Sequence, residues 1–198
     1  MLEAHFESPL AHAVVSNDTY ISIREIAERG MIDLRGLSTD RKFMSVVKST
    51  LGVELPKQPR TSTTWGDMRM LWLSPDQWLI TCHRAKAQML ADELSAALGG
   101  LHHLVVNVSD MRCVIRLEGD SVREVVMKGS TLDLLDGNYG AGTVRRMGFA
   151  EIAALLHIVE DKVIDIYVFR SYADYTWKFL QKAARKGSEV RLFGAKAT

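Results

Sequence analysis

The residues most suggestive of chemistry lie between Leu117 and Leu134, in the stretch LEGDSVREVVMKGSTLDL. Within it, Lys128-Gly129-Ser130-Thr131 has the residue types that end a phosphate-binding loop. Such a loop needs several glycines, and a helix must follow it so that the helix N-terminus faces the anion. Here the helical pattern precedes the loop, and the loop contains a single glycine. We therefore interpret Gly129 as the left-handed end of a helix and assign the stretch no chemistry.

The helix before Gly129 has a sequence typical of packing. Asp120 or Ser121 begins it, and Ser121 and Glu124 have the spacing of a capping box. Its apolar face consists of β-branched residues, which lose rotamer freedom in a helix and make it weak in isolation. These residues are Val122, Val125 and Val126. We expect this face to be buried against a sheet.

The six histidines and two cysteines do not have the spacings of metal ligands. His102 and His103 are adjacent, so on a strand they point to opposite faces. His157 lies in an apolar strand pattern, which favours a place in the core or at an interface. Cys82 and Cys113 lie in apolar runs, which predicts buried thiols in a reducing cytoplasm. We predict no metal site and no catalytic residue in this chain.

Two further polar features lie in predicted loops. Asp110 and Arg112 flank a turn in SDMRC. They either form a polar site or stabilise the turn and a neighbouring strand end. The segment GNYGAG at 137–142 leads into the strand-like TVRRMGF, so it offers no helix dipole to an anion. We interpret it as a tight or mobile loop.

The last helix, SYADYTWKFLQKAAR, is unusually rich in aromatic residues. Its apolar residues cover an arc of about 200°, whereas a helix on one core needs a stripe of about 100°. The helix therefore lies deep inside the domain or packs on two partners at once. Because aromatic residues are enriched at protein interfaces, we predict a partner surface that includes tryptophans of the central hairpin. The predicted interface residues are Tyr172, Tyr175, Trp177, Phe179, Trp72 and Trp78.

Composition excludes several classes of function. The 198 residues are 47% hydrophobic, enough for a sizeable core. A net charge of +1 gives no electrostatic case for binding nucleic acid or an anionic membrane. No apolar run approaches the roughly 20 residues of a membrane helix. We expect a cytoplasmic protein that binds neither nucleic acid nor membrane.

The elements that must position these residues follow a recurring order of strand, strand and helix, stated about four times. The clearest hairpin is MRMLWLSPDQWLITC, in which Pro75 sets the turn. Adjacent paired strands with helices on one face predict an α+β fold with antiparallel sheets. No composition shift marks a flexible linker. We therefore predict a single domain of two closely packed lobes, about 1–100 and 101–198.

Four stretches in order carry a resemblance to a known family. They are SPL at 8–10, LWLSPDQWLI at 71–80, VSDMRCVIRLEGDSVREVVMKGSTLDL at 108–134 and RSYADYTWKFL at 170–180. Together they resemble the gamma subunit of bacterial heterotetrameric sarcosine oxidase, over nearly the whole chain. The resemblance implies a fold like the tetrahydrofolate-binding domain of aminomethyltransferases such as the glycine-cleavage T-protein. A folate-like polar site would fall at Asp110 and Arg112.

The resemblance also implies partners and a division of labour. It places FAD, FMN, NAD, zinc and tetrahydrofolate in the alpha, beta and delta subunits and no cofactor in the gamma chain. The complex would oxidise sarcosine to glycine, with hydrogen peroxide and methylenetetrahydrofolate as further products. The gamma chain would act in assembly and stabilisation. Expressed alone, the chain is expected to be either soluble but sticky or a self-associating oligomer.

Two other functions remain open at this point. One is a stand-alone folate-binding module. Folate-binding proteins of iron–sulfur cluster maintenance resemble this fold but carry a Lys-Gly-Cys-x-x-Gly-Gln-Glu motif, which is absent after Lys128. The other is a small aminomethyltransferase, for which Asp110 is the one candidate acid.

Overall fold

The structure, a computed structural model, describes residues 6–191 and contains ten β-strands and four α-helices within that range. The strands are β1 (Ser22–Glu25), β2 (Arg29–Arg35), β3 (Ser62–Trp65), β4 (Met68–Ser74), β5 (Gln77–His83), β6 (Leu104–Asn107), β7 (Arg112–Glu118), β8 (Val144–Phe149), β9 (Ile152–Glu160) and β10 (Val163–Phe169). The helices are α1 (Arg41–Leu51), α2 (Arg84–Ala97), α3 (Val122–Met127) and α4 (Ala173–Ala183). A 3-10 turn at Arg170–Tyr172 leads directly into α4.

The strands form two five-stranded antiparallel sheets. The N-terminal sheet has the order β3-β4-β5-β2-β6, and the C-terminal sheet has the order β1-β7-β10-β9-β8. Alternation of side chains along each strand gives every sheet an outer and an inner face. The α+β prediction with antiparallel sheets is confirmed.

Helices cover the outer faces, and the inner faces pack on each other. Helices α1 and α2 bury their apolar sides on the N-terminal sheet, around Phe43 and Trp78. Helices α3 and α4 do the same on the C-terminal sheet, around Val125 and Trp177. A third cluster joins the two inner faces, with Leu71 and Leu79 from one sheet and Leu155 and Tyr167 from the other. The molecule therefore has four layers: helices, sheet, sheet and helices.

Local sequence explains where α1 begins and ends. The Asp40 carboxylate accepts hydrogen bonds from the backbone nitrogens of Lys42 (2.8 Å) and Phe43 (3.2 Å), as an N-cap does. Gly52 follows the helix with φ of 73°, a left-handed conformation that glycine adopts without strain. Both ends agree with the sequence pattern.

Strand β3 begins in the segment GVELPKQPRTSTT, whose polar composition and two prolines predict a surface loop and not a strand. Its last residues pair with β4 in the register Trp65↔Met68, across a turn at Gly66 with φ of 58°. Ser, Thr and Trp side chains suit an edge strand that is half exposed, which explains why a polar composition concealed it.

The end of α3 differs from the expectation. Lys128 leaves the helix in the right-handed region (φ −63°, ψ −22°), and Gly129 does not have a positive φ. A Cβ at Gly129 would lie 2.8 Å from Phe149 Cε2 and 2.9 Å from Phe179 Cε1. Glycine is thus required here because two aromatic rings pack against the backbone. The predicted left-handed cap is wrong.

The helix starts also differ. Among residues 6–191, no side chain caps the N-terminus of α3, and the Glu124 carboxylate accepts instead from the backbone nitrogens of Val190 and Arg191. The capping box predicted with Ser121 is therefore not formed. In the sequence, Ser171 and Asp174 have the spacing of a capping pair for the last helix, but a 3-10 turn at Arg170–Tyr172 occupies this position and no side chain of the described segment caps α4.

The two lobes exchange strands. Strand β1 from the first half pairs with β7 in the C-terminal sheet, and β6 from the second half pairs with β2 in the N-terminal sheet. A boundary near residue 100 follows chain order but does not separate the sheets. The sheets are joined further where the Val144 nitrogen donates to the Arg60 carbonyl (2.8 Å).

Candidate functional site

The Lys128 side chain is an internal clamp in the phosphate-loop-like stretch. Its ammonium donates to the carbonyls of Ala183 (2.7 Å) and Ser188 (2.6 Å) and to the Tyr20 hydroxyl (3.0 Å). Its Nζ also lies 3.2 Å from the Ser188 hydroxyl and 3.7 Å from Glu124 Oε1, so its donors are all engaged by groups of this chain. The stretch therefore ties the end of α4 and the following segment to α3, and the ammonium is engaged within the fold.

The predicted pair Asp110 and Arg112 is not brought together. Asp110 accepts from Arg84 Nη2 at 2.6 Å, and its side chain is 73% exposed. The Arg112 guanidinium stacks over the Phe169 ring, 4.9 Å from its centroid. Burial and the neighbouring Arg146 lower the pKa of Arg112. Asp110 lies in the turn before β7, whereas Arg112 is the first residue of that strand, and their side chains contact different partners.

The predicted aromatic surface of α4 divides into exposed and buried residues. Tyr172 and Tyr175 are 44% and 40% exposed. Trp177 is buried in the core of its own sheet, and its Nε1 donates to the Val14 carbonyl (3.3 Å). Phe179 is half-buried in an edge-to-face contact with Phe149, with centroids 5.3 Å apart. Trp177 therefore does not belong to an accessible surface, because the fold itself covers it.

The hairpin tryptophans divide in the same way. Trp78 is fully buried, stacks with Phe43 at 6.1 Å and donates from Nε1 to the Pro56 carbonyl (2.9 Å). Its assignment to a partner surface is wrong, because α1 covers it. Trp72 is half-buried next to it, in register on the paired strand.

Four exposed large apolar residues lie near the start of α4, and they are here called the apolar patch. It comprises Met111, Phe169, Tyr172 and Tyr175, each more than one third exposed. The backbone joins its parts, since the Arg170 nitrogen donates to the Met111 carbonyl at 3.0 Å. The two tyrosines lie one turn apart on the same side of the helix.

The inner faces of the two sheets carry polar residues that sequence reasoning missed. Asp165 is fully buried and accepts from Arg116 Nε (2.6 Å) and Nη2 (2.9 Å), a bidentate pair. The hydrogen bond to Asp165 raises the pKa of Arg116. The signal was present in the sequence, because Asp165 interrupts the apolar run VIDIYVF at an alternate position.

The Arg116–Asp165 pair lies within the C-terminal sheet, whereas another set of polar side chains connects the two sheets. Gln77 Nε2 donates to both carboxylate oxygens of Asp33, at 2.8 and 3.0 Å. Arg146 Nη2 in turn donates to Gln77 Oε1 at 2.9 Å. The chain of three side chains spans from β2 through β5 to β8 and fixes the relative position of the sheets.

His157 is a buried, neutral core residue. The Ser62 hydroxyl donates to the Gly142 carbonyl (3.0 Å), so it must accept from His157 Nε2 (2.9 Å). The Nε2-protonated tautomer follows from this geometry. Burial, opposed by Asp165 and assisted by the neighbouring arginines, lowers the pKa of His157 to about 4. A ring with this pKa carries no charge at neutral pH.

The two cysteine thiols are buried and weakly reactive. Cys82 and Cys113 are buried and, in the part of the chain that the structure describes, form no disulfide. Burial raises the pKa of both thiols, which disfavours the nucleophilic thiolate.

Across residues 6–191, no three His, Cys, Asp or Glu side chains converge as a metal site. No helix in this range is long and apolar enough to span a membrane.

Comparison with known proteins decides the family. The model of the sarcosine oxidase, gamma subunit family matches residues 35–186. The chain belongs to the sarcosine oxidase gamma subunit family. A gamma subunit from Corynebacterium sp. strain U-96 is 27% identical over 192 residues, which cover 96% of this chain and 91% of that protein. The family resemblance found in the sequence is confirmed.

Solved structures agree with the family. A chain of heterotetrameric sarcosine oxidase from Corynebacterium sp. U-96, in complex with pyrrole 2-carboxylate, superimposes with a TM-score of 0.81 at 26% identity. The match covers 90% of this gamma-family chain and 94% of that chain. Glycine cleavage system aminomethyltransferase T from Bartonella henselae matches with a TM-score of 0.59 at 16% identity, covering 82% of this chain and 46% of that one. The latter likeness shows a shared fold, as expected from the sequence.

Proposed function

We propose that this chain is a non-catalytic subunit of a heterotetrameric sarcosine oxidase, in which it packs on the other subunits and stabilises them. The observation that carries the proposal is the near-complete superposition on a chain of that enzyme, at a TM-score of 0.81. The family and its named relatives agree with this function. The complex would oxidise sarcosine to glycine and yield hydrogen peroxide and methylenetetrahydrofolate.

The distribution of polar groups supports a structural role. Lys128, Asp165 and His157 are the strongest polar candidates, and each is engaged in the fold of this chain. Asp110, the candidate acid of an aminomethyltransferase, is exposed and paired with Arg84. On the family resemblance, we propose that FAD, FMN, NAD, zinc and tetrahydrofolate are held by the alpha, beta and delta subunits. A reducing cytoplasm suits the two buried thiols.

The apolar patch is the surface proposed to meet a partner subunit. Tyr and Phe side chains bury large areas at low entropic cost, which makes them frequent anchors of interfaces. Tyr172 and Tyr175 retain their predicted interface role, whereas Trp78 and Trp177 lie in the core. Phe179 and Trp72 are partly buried and lie against the cores of the C-terminal and N-terminal sheets, so they are not included in the apolar patch.

Co-expression with the alpha, beta and delta chains tests this assignment. A double variant, Tyr172→Ser with Tyr175→Ser, should weaken co-purification of the partner subunits by about tenfold or more, because two central anchors are lost. Trp65→Ser is the matched control, since Trp65 is 56% exposed but lies at the distant turn before β4. Equal loss with both variants, or with neither, would remove the apolar patch from the interface.

Isolated expression gives a second test. The chain without partners should self-associate, because the exposed apolar patches of two copies can pack on each other. Its elution volume in size-exclusion chromatography should then depend on protein concentration. A concentration-independent monomer would contradict this. Titration with a reduced folate, followed by tryptophan fluorescence, should give no saturable change; a saturable change would favour the folate-binding alternative.

A further inference from the structure

Between the two sheets, three arginine side chains lie near one aspartate, so positive charge is in excess. Arg29 and Arg69 come from the inner face of the N-terminal sheet, and Arg116 and Asp165 from that of the C-terminal sheet. Arg116 and Asp165 neutralise each other as a bidentate pair. This leaves the two guanidinium groups of Arg29 and Arg69, whose mutual repulsion together with burial lowers the pKa of Arg69.

The hydrogen bonds of these two arginines are weak. Nη1 of each reaches the carbonyl oxygen of Asp67 at 3.4 Å, the long end of the useful range. Nε of each is buried and finds no partner among residues 6–191. Neither arginine has a carboxylate within 4.0 Å in this described range of the chain. Both side chains are partly buried, and each donates to the same carbonyl, so two like charges lie close together, an arrangement that favours a bound counter-ion.

Two hydroxyl groups lie in the same region. Thr81 is opposite Arg69 in the register of β4 and β5, and it is fully buried. Tyr167 is fully buried, and the charges of Arg29, Arg69 and Arg116 act on its phenol. Within the described residues, neither hydroxyl has a hydrogen-bond partner. Two buried hydroxyl donors therefore accompany two buried Nε–H donors, whereas buried polar groups are satisfied in more than about 90% of cases.

A bound anion would accept hydrogen bonds from the unpaired donors and would also balance the charge of the two arginines. A water molecule would accept hydrogen bonds from the hydroxyls but would leave the charge of the two arginines uncompensated. The oxygens of a carboxylate or a tetrahedral oxyanion accept from guanidinium and hydroxyl donors and also carry the missing negative charge. His157 adds no charge, because its ring is neutral.

We propose that the space between the two sheets, at Arg29, Arg69, Thr81 and Tyr167, binds a small oxyanion or carboxylate. The ion lies between β4 and β5 of one sheet and β10 of the other, where it acts as a structural counter-ion joining the layers. Tyr167 lies two residues before Phe169 on β10, but none of the four site residues belongs to the apolar patch, so the site and the proposed subunit interface involve different residues.

Sulfate titration of the purified full-length chain, or of the assembled complex, tests the site. Sulfate is added from zero to millimolar concentrations at constant ionic strength, with sodium chloride as the balancing salt, and Tm is followed. Because a ligand that binds only the folded state stabilises it by mass action, Tm should rise and saturate. Sodium acetate in a parallel series distinguishes a planar carboxylate from a tetrahedral ion.

Three variants assign the response. Tyr167→Phe removes one hydroxyl donor and no charge, so it should fold and bind sulfate about tenfold more weakly. Arg69→Gln should abolish saturation in the millimolar range. Arg24→Gln is the control, because Arg24 pairs with Glu118 on the exposed side of β1 and should keep the wild-type response. A flat wild-type titration with both anions, or equal saturation in wild type and Tyr167→Phe, would overturn the site.

Discussion

At the scale of single residues, the buried charge of Asp165 is important for the stability of the fold. It is fully buried, it accepts two hydrogen bonds from Arg116, and two further arginines lie nearby. A charge in this position is stable only while its partner is present, because desolvation costs more than an isolated charge can recover. The pair therefore specifies how β7 and β10 face the other sheet.

Replacing Asp165 with Asn should lower the free energy of unfolding by about 3–5 kcal/mol, since Arg116 then remains buried without its counter-charge. Urea denaturation measures this. Asp174→Asn is the matched control: Asp174 pairs with Lys178 at 2.7 Å on the exposed face of α4, and its loss should change stability by about 0.5 kcal/mol or less. Similar changes in both variants would show that the buried pair has no special weight.

His157 should make stability fall with acid. Its pKa is about 4 in the fold and returns to the ordinary 6.5 when the chain unfolds. The unfolded state therefore binds the extra proton between these values, so the contribution is complete above pH 6.5 and is lost as pH falls towards 4. The expected slope is at most about 1.4 kcal/mol per pH unit in this window.

Urea midpoints measured from pH 7.5 to 4.5 check this slope in wild type and in His157→Gln, whose amide nitrogen replaces Nε2 as the donor to Ser62. The variant should lose the slope that His157 contributes. His12→Gln is the control, because the His12 side chain is 93% exposed and should leave the wild-type slope unchanged. An unchanged slope in His157→Gln would contradict the depressed pKa.

At the scale of elements, α3 depends on how closely it approaches its neighbours. Its six residues include three valines, so it forms only because that face is buried on the C-terminal sheet. Gly129 then lets the rings of Phe149 and Phe179 reach the backbone, and the Ala150 nitrogen donates to the Gly129 carbonyl at 2.6 Å. Lys128 ties the same corner to the segment after α4.

Gly129→Ala should destabilise the fold by about 1–3 kcal/mol, because the added methyl group must displace two packed rings. Gly148→Ala is the control: Gly148 is on β8 and its added Cβ would meet nothing within 4 Å in the described structure. Thermal unfolding of both variants makes the comparison. A Gly129 variant as stable as the control would mean that the rings move aside at little cost.

The hairpin turn at Pro75 and the ends of α1 were well predicted from sequence because their signals are local. Asp40 and Gly52 bound α1, and Pro75 sets the turn between β4 and β5, as expected. The errors at Gly129, Ser121 and β3 have a common origin. In each, a contact from a distant segment decided the local conformation: Phe149 and Phe179, the backbone at 190 and 191, and the edge of β4.

At the scale of the whole molecule, the packing of one sheet on the other explains why polar side chains such as Asp165 and His157 are buried between them. The outer helices cover apolar faces, while the inner faces share an apolar cluster flanked by polar bridges. The exchange of β1 and β6 between the sheets ties the halves together. The apolar patch lies on the outside of this unit, which suits the proposed packing on other subunits.

The sequence by itself determined the family, the α+β class and most strand and helix positions, because ordered motifs and hydrophobic periodicity are local or family-wide signals. Which aromatic residues are accessible was decided only by tertiary structure: Trp78 and Trp177 pack inward, while Tyr172 and Tyr175 remain exposed. The meeting of Arg29, Arg69 and Tyr167 likewise arises from two sheets far apart in sequence. The physical reason is that burial and charge pairing depend on which strands face each other, and alternation along a strand does not specify its neighbour across the layer.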